Sequence, residues 1–598
     1  MENEDNYQHF NENHNPSHQE PSHDYQEPQI EPPHHQPTPP PSLTAQELIE
    51  PSIPTQPKPP LIERITTWLK NPSNLILAII LISIILLRFY FFWITINQPV
   101  WWDESEYLSG AKSFAGLVDY QLHEIRLPGL PRFISLFYLM GINQEPLIRF
   151  FALFIPSILM IFVFYLLIRE MYPDKRVALI STILFGVLWE SLFYSNRFQP
   201  ENLSIFFQFF ALLILFKVYM KKEKLWLITP ALSLIWITLF SALAIVTRSG
   251  NAPFFPTIIL FVIILNQSFF LSKNNRKFSI TALIISIAAV IFAFLNIEKI
   301  PVVRVAYHPE FPISWSIPID IIRGYFNSVT PNIPSVFLYA FYLGLILVTI
   351  NTFSIIDRIK IIYRDNKNLD FKSDLFNLIL LSSVLFVFVF ILKPPGIEFR
   401  WLFMILPPIL VFASKGIISF SEFTADFLKN KKVIIIIIFF ILSMGVYDQV
   451  MHGDSIIKLK LNSYSQLRDA GLWIKQNSHP DDIVLSRSPH QITYYSERKT
   501  YNYGDFNESQ FFELVKETKP KYMLESVLEP STGQWGYEPT PAMQQIMTPV
   551  QVWYAEDNQS PIAVLYAFNQ NPTLEQIIPT SQNTTPASIE EISIDTSQ

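Results

Sequence analysis

The sequence predicts a mainly α, polytopic membrane protein that ends in a small extracytoplasmic α/β domain, and three observations lead there. Residues 73 to 448 hold about eleven apolar runs of roughly 17 to 25 residues, the length a helix needs to cross about 30 Å of hydrocarbon. The 598-residue chain is 49% hydrophobic and only 16% charged, with a mean hydropathy of +0.25. From about residue 455 the apolar runs give way to the shorter, amphipathic patterns of a soluble fold. The net charge of −7 is an average over acidic ends and basic punctuation between apolar runs, which leaves no case for nucleic acid. Zero cysteines exclude disulfides, a thiolate nucleophile and Cys-ligated metals.

The elements follow in order. Residues 1 to 65, rich in Pro, His, Gln and Glu, bury too little apolar surface to offset the entropy of ordering and read as a disordered cytoplasmic tail. Its His34-His35 pair reads as solvated, and no basic segment with a short apolar run marks a secretory signal. The membrane domain, 66 to 450, has predicted spans at about 73–97, 146–168, 177–195, 201–219, 225–247, 253–272, 278–297, 333–354, 375–392, 400–416 and 432–448. One alternating set of loops carries roughly nineteen basic residues, among them Lys217, Lys277, Arg358 and Lys415, against about eleven in the other. That asymmetry makes the first set cytoplasmic and puts the C-terminal domain outside. In that domain, 451 to 575, helices are predicted at Tyr464 to Lys475 and Glu508 to Lys516. Strands are predicted at 483–485, 521–524, 551–555 and 562–567, with a disordered tail from 576 to 598.

Chemistry concentrates where the first span ends. Trp101-Trp102-Asp103-Glu104-Ser105-Glu106-Tyr107 puts three carboxylates at a bilayer edge, where an ionised acid is costly unless it has a solvated pocket, a cation or a reaction to serve. The two tryptophans suit the interfacial belt and set the depth of the acids. On a helix over 103–114, Asp103, Glu106 and Tyr107 share one face by i, i+3, i+4 spacing, and Glu104 points away. The same loop holds His123, Glu124 and Arg126. A plain reading stands beside the catalytic one: Asp103 as a helix cap and the acids as complements of the helix dipole.

A second acid lies at the far end of the third span, in Arg197-Phe198-Gln199-Pro200-Glu201. Pro200 marks a helix start and places Glu201 in the first turn. By the loop count it faces the same compartment as Asp103. Here too the plain reading is dipole complementarity, with Arg197 as counter-ion. Candidate cations on that side are Arg126, Arg248, Arg304, Lys393 and Arg400, the last in Glu398-Phe399-Arg400-Trp401 at the mouth of a span. Each alone could be a snorkelling side chain, and Arg88 within the first span could likewise snorkel or pair with an acid.

These motifs carry a resemblance. An Asp-Glu-x-x-Tyr opening at Asp103 is followed by Pro128-Gly129-Leu130-Pro131, Arg-x-x-x-Glu at Arg197, the Glu-Phe-Arg-Trp at Glu398 and Tyr494-Tyr495-Ser496-Glu497-Arg498. Their order over about residues 70 to 500 resembles the GT-C class of integral-membrane glycosyltransferases, in the branch of protein O-mannosyltransferases and lipid A aminoarabinose transferases. The resemblance implies transfer of a sugar from a polyprenyl-phosphate donor in the membrane to a protein, lipid or glycan acceptor on the outer face, with direct inversion at the anomeric carbon. Asp103 is then the expected catalytic acid/base and Glu201 its partner. Arg126, Arg248, Arg400 and Lys393 are expected to bind the donor phosphate, with Glu104, Glu106, Tyr107, His123, Arg197 and Glu398 in support. Arg126 stands ahead of Pro128-Gly129 where relatives often carry Lys or His, a departure that bears on donor recognition. Trp101-Trp102-Asp103 is similar in letters to the oligosaccharyltransferase signature, but that signature lies after the last span.

No cofactor is required by the sequence. A divalent cation collected by Asp103, Glu201 and His123 stays open, although no metal-loop spacing exists. Two other classes compete: a flippase or transporter of lipid-linked glycans, and an outer-face binding protein using residues 455 to 575. A transporter spreads charge near the midplane and carries repeats, whereas here the ionisable residues crowd one face and no internal repeat is visible.

Overall fold

The computed structural model describes residues 60–123, 126–266, 311–330, 333–356, 369–394, 396–504, 506–528, 539–555 and 559–569. The seventh predicted span, Glu124, Arg304 and most of both tails lie outside them. Contacts divide the chain into Met1–Trp68 and Leu69–Gln598. In the first unit, α1 (Leu61–Leu69) starts inside the stretch read as tail, with Ile62, Ile65 and Trp68 spaced along one exposed apolar face.

In the second unit the membrane-length helices are α2 (Pro72–Thr95), α5 (Glu145–Met171), α8 (Glu201–Met220), α9 (Pro230–Thr247), α12 (Val336–Ile356), α13 (Leu369–Leu392), α14 (Phe399–Phe427) and α15 (Val433–Leu459). Among the described residues these eight helices are long and apolar enough to cross a bilayer. Shorter helices join them: α3 (Trp102–Phe114), α4 (Gly129–Leu139), α6 (Lys175–Val187), α7 (Trp189–Tyr194), α10 (Ser249–Leu265) and α11 (Ser316–Tyr325). Local signals set the starts. Asn71 accepts from the Ser73 amide ahead of α2, with Pro72 in the first turn, and Asp174 caps α6 through the Arg176 amide.

Three expectations about the spans change. The third is not one helix: it breaks at Leu188, whose ψ of 119° leaves the helical region, and the Trp189 amide freed by the break donates to the Gln449 side chain at 3.1 Å. Lys415 is no loop residue but sits within α14, its charge met by Asp374 at 2.6 Å. Arg88 neither snorkels nor meets an acid; buried in α2, it donates to Ser191 Oγ at 2.7 Å.

Helix α14 is the most deeply buried of the membrane-length helices, while α15 is mostly exposed and turns Ile435, Phe439 and Phe440 outward. Close approach explains one glycine pair. A Cβ on Gly344 of α12 would lie 1.8 Å from the Phe412 carbonyl oxygen, and one on Gly416 of α14 would lie 1.9 Å from that of Ala340.

The C-terminal α/β domain contains α16 (Ser465–Asn477), β1 (Val484–Ser486), α17 (Pro489–Ser496), β2 (Thr500–Tyr501), α18 (Glu508–Thr518), β3 (Tyr522–Ser526), α19 (Pro541–Ile546), β4 (Met547–Tyr554) and β5 (Pro561–Phe568). Its sheet runs β2-β1-β3-β5-β4, parallel across the first three strands and antiparallel on both sides of β5. β1 and β3 are buried along their whole length, which is why they read as short continuous apolar runs rather than alternating ones. Helix α17, which has no clear periodicity, was not expected and turns out to dock on α3.

Candidate functional site

Helix α3 is tied to the segment just ahead of α8, and Glu104 is the reason. Its Oε2 accepts from the Trp101 amide at 2.7 Å, closing the first turn, and its Oε1 accepts from the Phe198 amide at 2.9 Å. Arg197 stacks on the Trp101 ring at 3.6 Å and stands 3.5 Å from the same carboxylate. Arg149 of α5 ties the assembly from behind, donating to the Asn196 and Gln98 carbonyls at 3.1 and 2.7 Å. Burial lowers Arg197 to about 10 despite Glu104. Arg197 is therefore the partner of Glu104, not of Glu201.

With Glu104 turned inward, Asp103, Glu106 and Tyr107 face the loop that follows. Arg126 donates to Asp103 Oδ1 and to Glu106 Oε2, and its guanidinium lies 5.6 Å over the Tyr107 ring. Asp103 Oδ2 accepts from Arg400 Nη2 at 2.8 Å. Arg400 also donates to Glu398 at 2.7 Å and to Gln199 Oε1 at 2.7 Å, and its Nε stands 3.9 Å from Glu201 Oε1. Arg248 meets Glu201 Oε1 at 3.0 Å. Asp103 and Glu201, 98 positions apart in sequence, thus share one guanidinium. Gly129 makes room for this: a Cβ there would stand 2.6 Å from the Thr247 Cα, so only glycine lets the start of α4 reach the end of α9 beside Arg248.

The cluster opens at one side. Asp103 has a side chain 21% exposed, whereas Glu201 is 2% exposed and its Oε2 finds no hydrogen-bond partner among the described residues. Burial alone would raise the Asp103 carboxyl, but Arg126 and Arg400 outweigh it and hold Asp103 below the usual carboxylate range. Glu106, more deeply set, is raised, burial outweighing Arg126. Burial pushes the Tyr107 phenol up to about 12. Burial would lower Arg126, but Asp103, Tyr107 and Glu106 together outweigh it and raise the guanidinium in turn.

Of the expected cations, Arg126, Arg248 and Arg400 belong to the cluster. Lys393 does not join it by any ion pair; it ends α13 in a left-handed conformation, φ 45°. Glu398 is the partner of Arg400. His123 stands near enough to His490 to bear on that ring's ionisation. Three residues that matter were not expected. Gln199 orients Arg400; His490 of α17 stands 3.4 Å from Glu106 Oε1; Glu190 of α7 is fully buried, with neither oxygen hydrogen-bonded among the described residues. Gln199 stands inside a segment already of interest, but His490 has no local sequence signal. Among the described residues, no group of three His, Asp or Glu side chains is set to hold a metal. Both Asp103 oxygens and Glu201 Oε1 are taken by guanidiniums, so the acids as arranged do not fit a divalent cation.

A bundle of membrane-length helices, a first loop carrying its acids on a short helix, and a terminal α/β domain docked over that loop make up a GT-C fold. No family model matches the chain, and no curated protein matches it by sequence. Among solved structures it is similar to the archaeal oligosaccharyltransferase AglB from Archaeoglobus fulgidus in complex with an inhibitory peptide and a dolichol-phosphate, at 12% identity over 84% of this chain and 75% of that one, TM-score 0.54. The Archaeoglobus fulgidus oligosaccharyltransferase tethered to an acceptor peptide gives 13% identity, the same coverages and a TM-score of 0.52. ArnT from Cupriavidus metallidurans bound to undecaprenyl phosphate gives 13% identity over 82% of this chain and 97% of that one, TM-score 0.46.

Proposed function

We propose that the protein is a membrane glycosyltransferase that moves a sugar from a polyprenyl-phosphate carrier to an acceptor hydroxyl on the extracytoplasmic face. The observation that carries the reading is the meeting of Asp103 and Glu201 on Arg400, with Arg126 and Arg248 beside them, in a cluster open at Asp103. Support comes from the solved structures of similar fold, one holding a dolichol-phosphate and one an acceptor peptide. The outer-face assignment rests on the basic residues between the apolar runs, roughly eighteen against about eleven once Lys415 is set aside.

A lipid-linked donor keeps its phosphate at the bilayer edge, where Arg matches it bidentately. Arg126 and Arg400 both pair with Asp103, so an arriving phosphate competes for the guanidiniums that depress its basicity. Donor binding then frees Asp103 and raises its proton affinity at the moment a base is needed. The acceptor oxygen attacks the anomeric carbon, its proton passes to the Asp103 carboxylate, and the bond from that carbon to the phosphate oxygen breaks with its electron pair. Arg126 and Arg400 stabilise the departing phosphate. Glu201 Oε2 accepts a hydroxyl of the donor sugar. Direct displacement with inversion is what the GT-C resemblance implies; a covalent glycosyl-enzyme would need a second carboxylate against the reacting carbon.

The test is the purified full chain offered a panel of polyprenyl-phosphate sugars, with donor consumption measured for wild type, Asp103→Asn and Glu201→Gln. We expect at least one donor to be consumed and Asp103→Asn to slow turnover by about 10²–10⁴-fold. Failure to consume or bind any such donor, or full activity in Asp103→Asn, overturns the proposal.

A further inference from the structure

Helix α17 of the α/β domain is fastened to the loop that carries Asp103 along its whole length. The Tyr495 hydroxyl accepts from the Val100 amide at 2.8 Å, Gln491 donates to the Val100 carbonyl at 3.2 Å, and Lys112 donates to the Tyr494 carbonyl at 2.9 Å and pairs with Glu497 at 2.8 Å. Tyr494 reaches Glu145 of α5 at 3.1 Å. At the start of α17, where these contacts hold the backbone rigidly, His490 turns its ring into the acid cluster. The edge of Trp102 meets the ring at 4.9 Å between centroids, and the Tyr120 hydroxyl lies 2.7 Å from Nδ1.

We propose that His490 is a positioning residue of the site, holding Glu106, and through it Arg126, against Asp103. This rests on the function proposed above. Tyr120 keeps its phenolic proton, raised by burial, and so is the donor to Nδ1. A neutral ring accepting at Nδ1 carries its own proton on Nε2, the nitrogen that faces Glu106 Oε1 at 3.4 Å. Glu106 Oε2 in turn accepts from Arg126, which also holds Asp103. Charged and titratable groups around the ring are Glu106, Tyr120, His123, Arg126 and Asp103; burial, then Arg126 and His123, depress His490 to about 3 and keep it neutral. The α/β domain thus supplies part of the membrane site. A carboxylate bonded to Arg126 on one oxygen and flanked by His490 on the other has less freedom to turn, and so keeps Arg126 directed at Asp103.

The experiment compares wild type, His490→Ala, His490→Gln and Tyr120→Phe in the full chain, by donor turnover and by hydrogen exchange of the segments around 100–115 and 126–132. We expect His490→Ala to lower kcat about tenfold with acceptor KM unchanged, to quicken exchange in both segments, and to recover in part with added imidazole. His490→Gln and Tyr120→Phe should fall between. Unchanged kcat and exchange overturn the inference, as does a loss that imidazole does not touch, which marks a packing role alone. If wild type consumes no polyprenyl-phosphate sugar while exchange still responds to His490→Ala and to imidazole, the positioning role stands and the proposed function falls.

Discussion

Replacing Glu104 should hurt the fold more than replacing its neighbour Asp103, although Asp103 is the residue assigned to chemistry. Glu104 is fully buried and serves three partners: the amides of Trp101 and Phe198 and the guanidinium of Arg197, itself 3% exposed. Glu104→Ala orphans the buried Phe198 N–H, at about 1–3 kcal/mol, and the part-buried Trp101 N–H at less, and strands a buried cation, at about 3–5 kcal/mol. The three share one carboxylate, so they do not add fully, and about 5 kcal/mol is the working figure. Asp103 is partly exposed and its two arginines keep Glu106 and Glu398 as alternatives, so Asp103→Asn should cost about 1 kcal/mol. A denaturant titration of both variants in detergent, followed by tryptophan fluorescence, measures the contrast. If Glu104→Ala unfolds at the wild-type midpoint, or Asp103→Asn unfolds before it, the separation of a structural acid from a working acid is wrong.

Acid should weaken the protein through His490. Its folded value of about 3 lies below the ordinary 6.5, so between those limits the unfolded chain binds a proton that the folded one refuses, and stability falls as pH drops below 6.5. The slope is about 1.4 kcal/mol per pH unit, or about 2 kcal/mol at pH 5; it should be absent from His490→Gln and so appear in full in the difference between the two proteins, and an identical acid profile for both sinks the idea. Gly344→Ala must push α12 off α14 at a backbone contact, with an expected loss of about 1–3 kcal/mol or poor expression; a variant that purifies and melts like wild type contradicts the close crossing. Lys415→Met should leave Asp374, 5% exposed, without its counter-ion and with only the Tyr172 hydroxyl, for about 3 kcal/mol, and Asp374→Asn added to it should recover most of the loss, as a double-mutant cycle will show.

What one can read without coordinates here follows from the solvent. A helix must cross about 30 Å of hydrocarbon with every backbone group paired to itself, so spans such as α2, α5 and α15 announce themselves by length and composition alone. Local spacing was also enough for α3: positions 103, 106 and 107 fall on one face of any helix, and they do meet Arg126. The break at Leu188 escaped because the amide it frees is met by Gln449, 260 positions away. Partners escaped for the same reason. Arg197 looks like the counter-ion of Glu201 four residues on, yet burial against Trp101 draws it to Glu104 and leaves Glu201 to Arg248. Lys393 and Arg400 look alike as membrane-edge cations, and only the packing of Gln199 and Glu398 around one of them decides between the two. His490 is one histidine in a soluble domain until α17 docks on α3. Sequence by itself determined where most of the long apolar helices lie, where acids gather and which face of α3 they share, because those depend on solvent and helical period. Tertiary structure alone decided which charge meets which, because in a low-dielectric cluster a few ångströms set the energy of every pair, and those ångströms come from helices far apart in the chain.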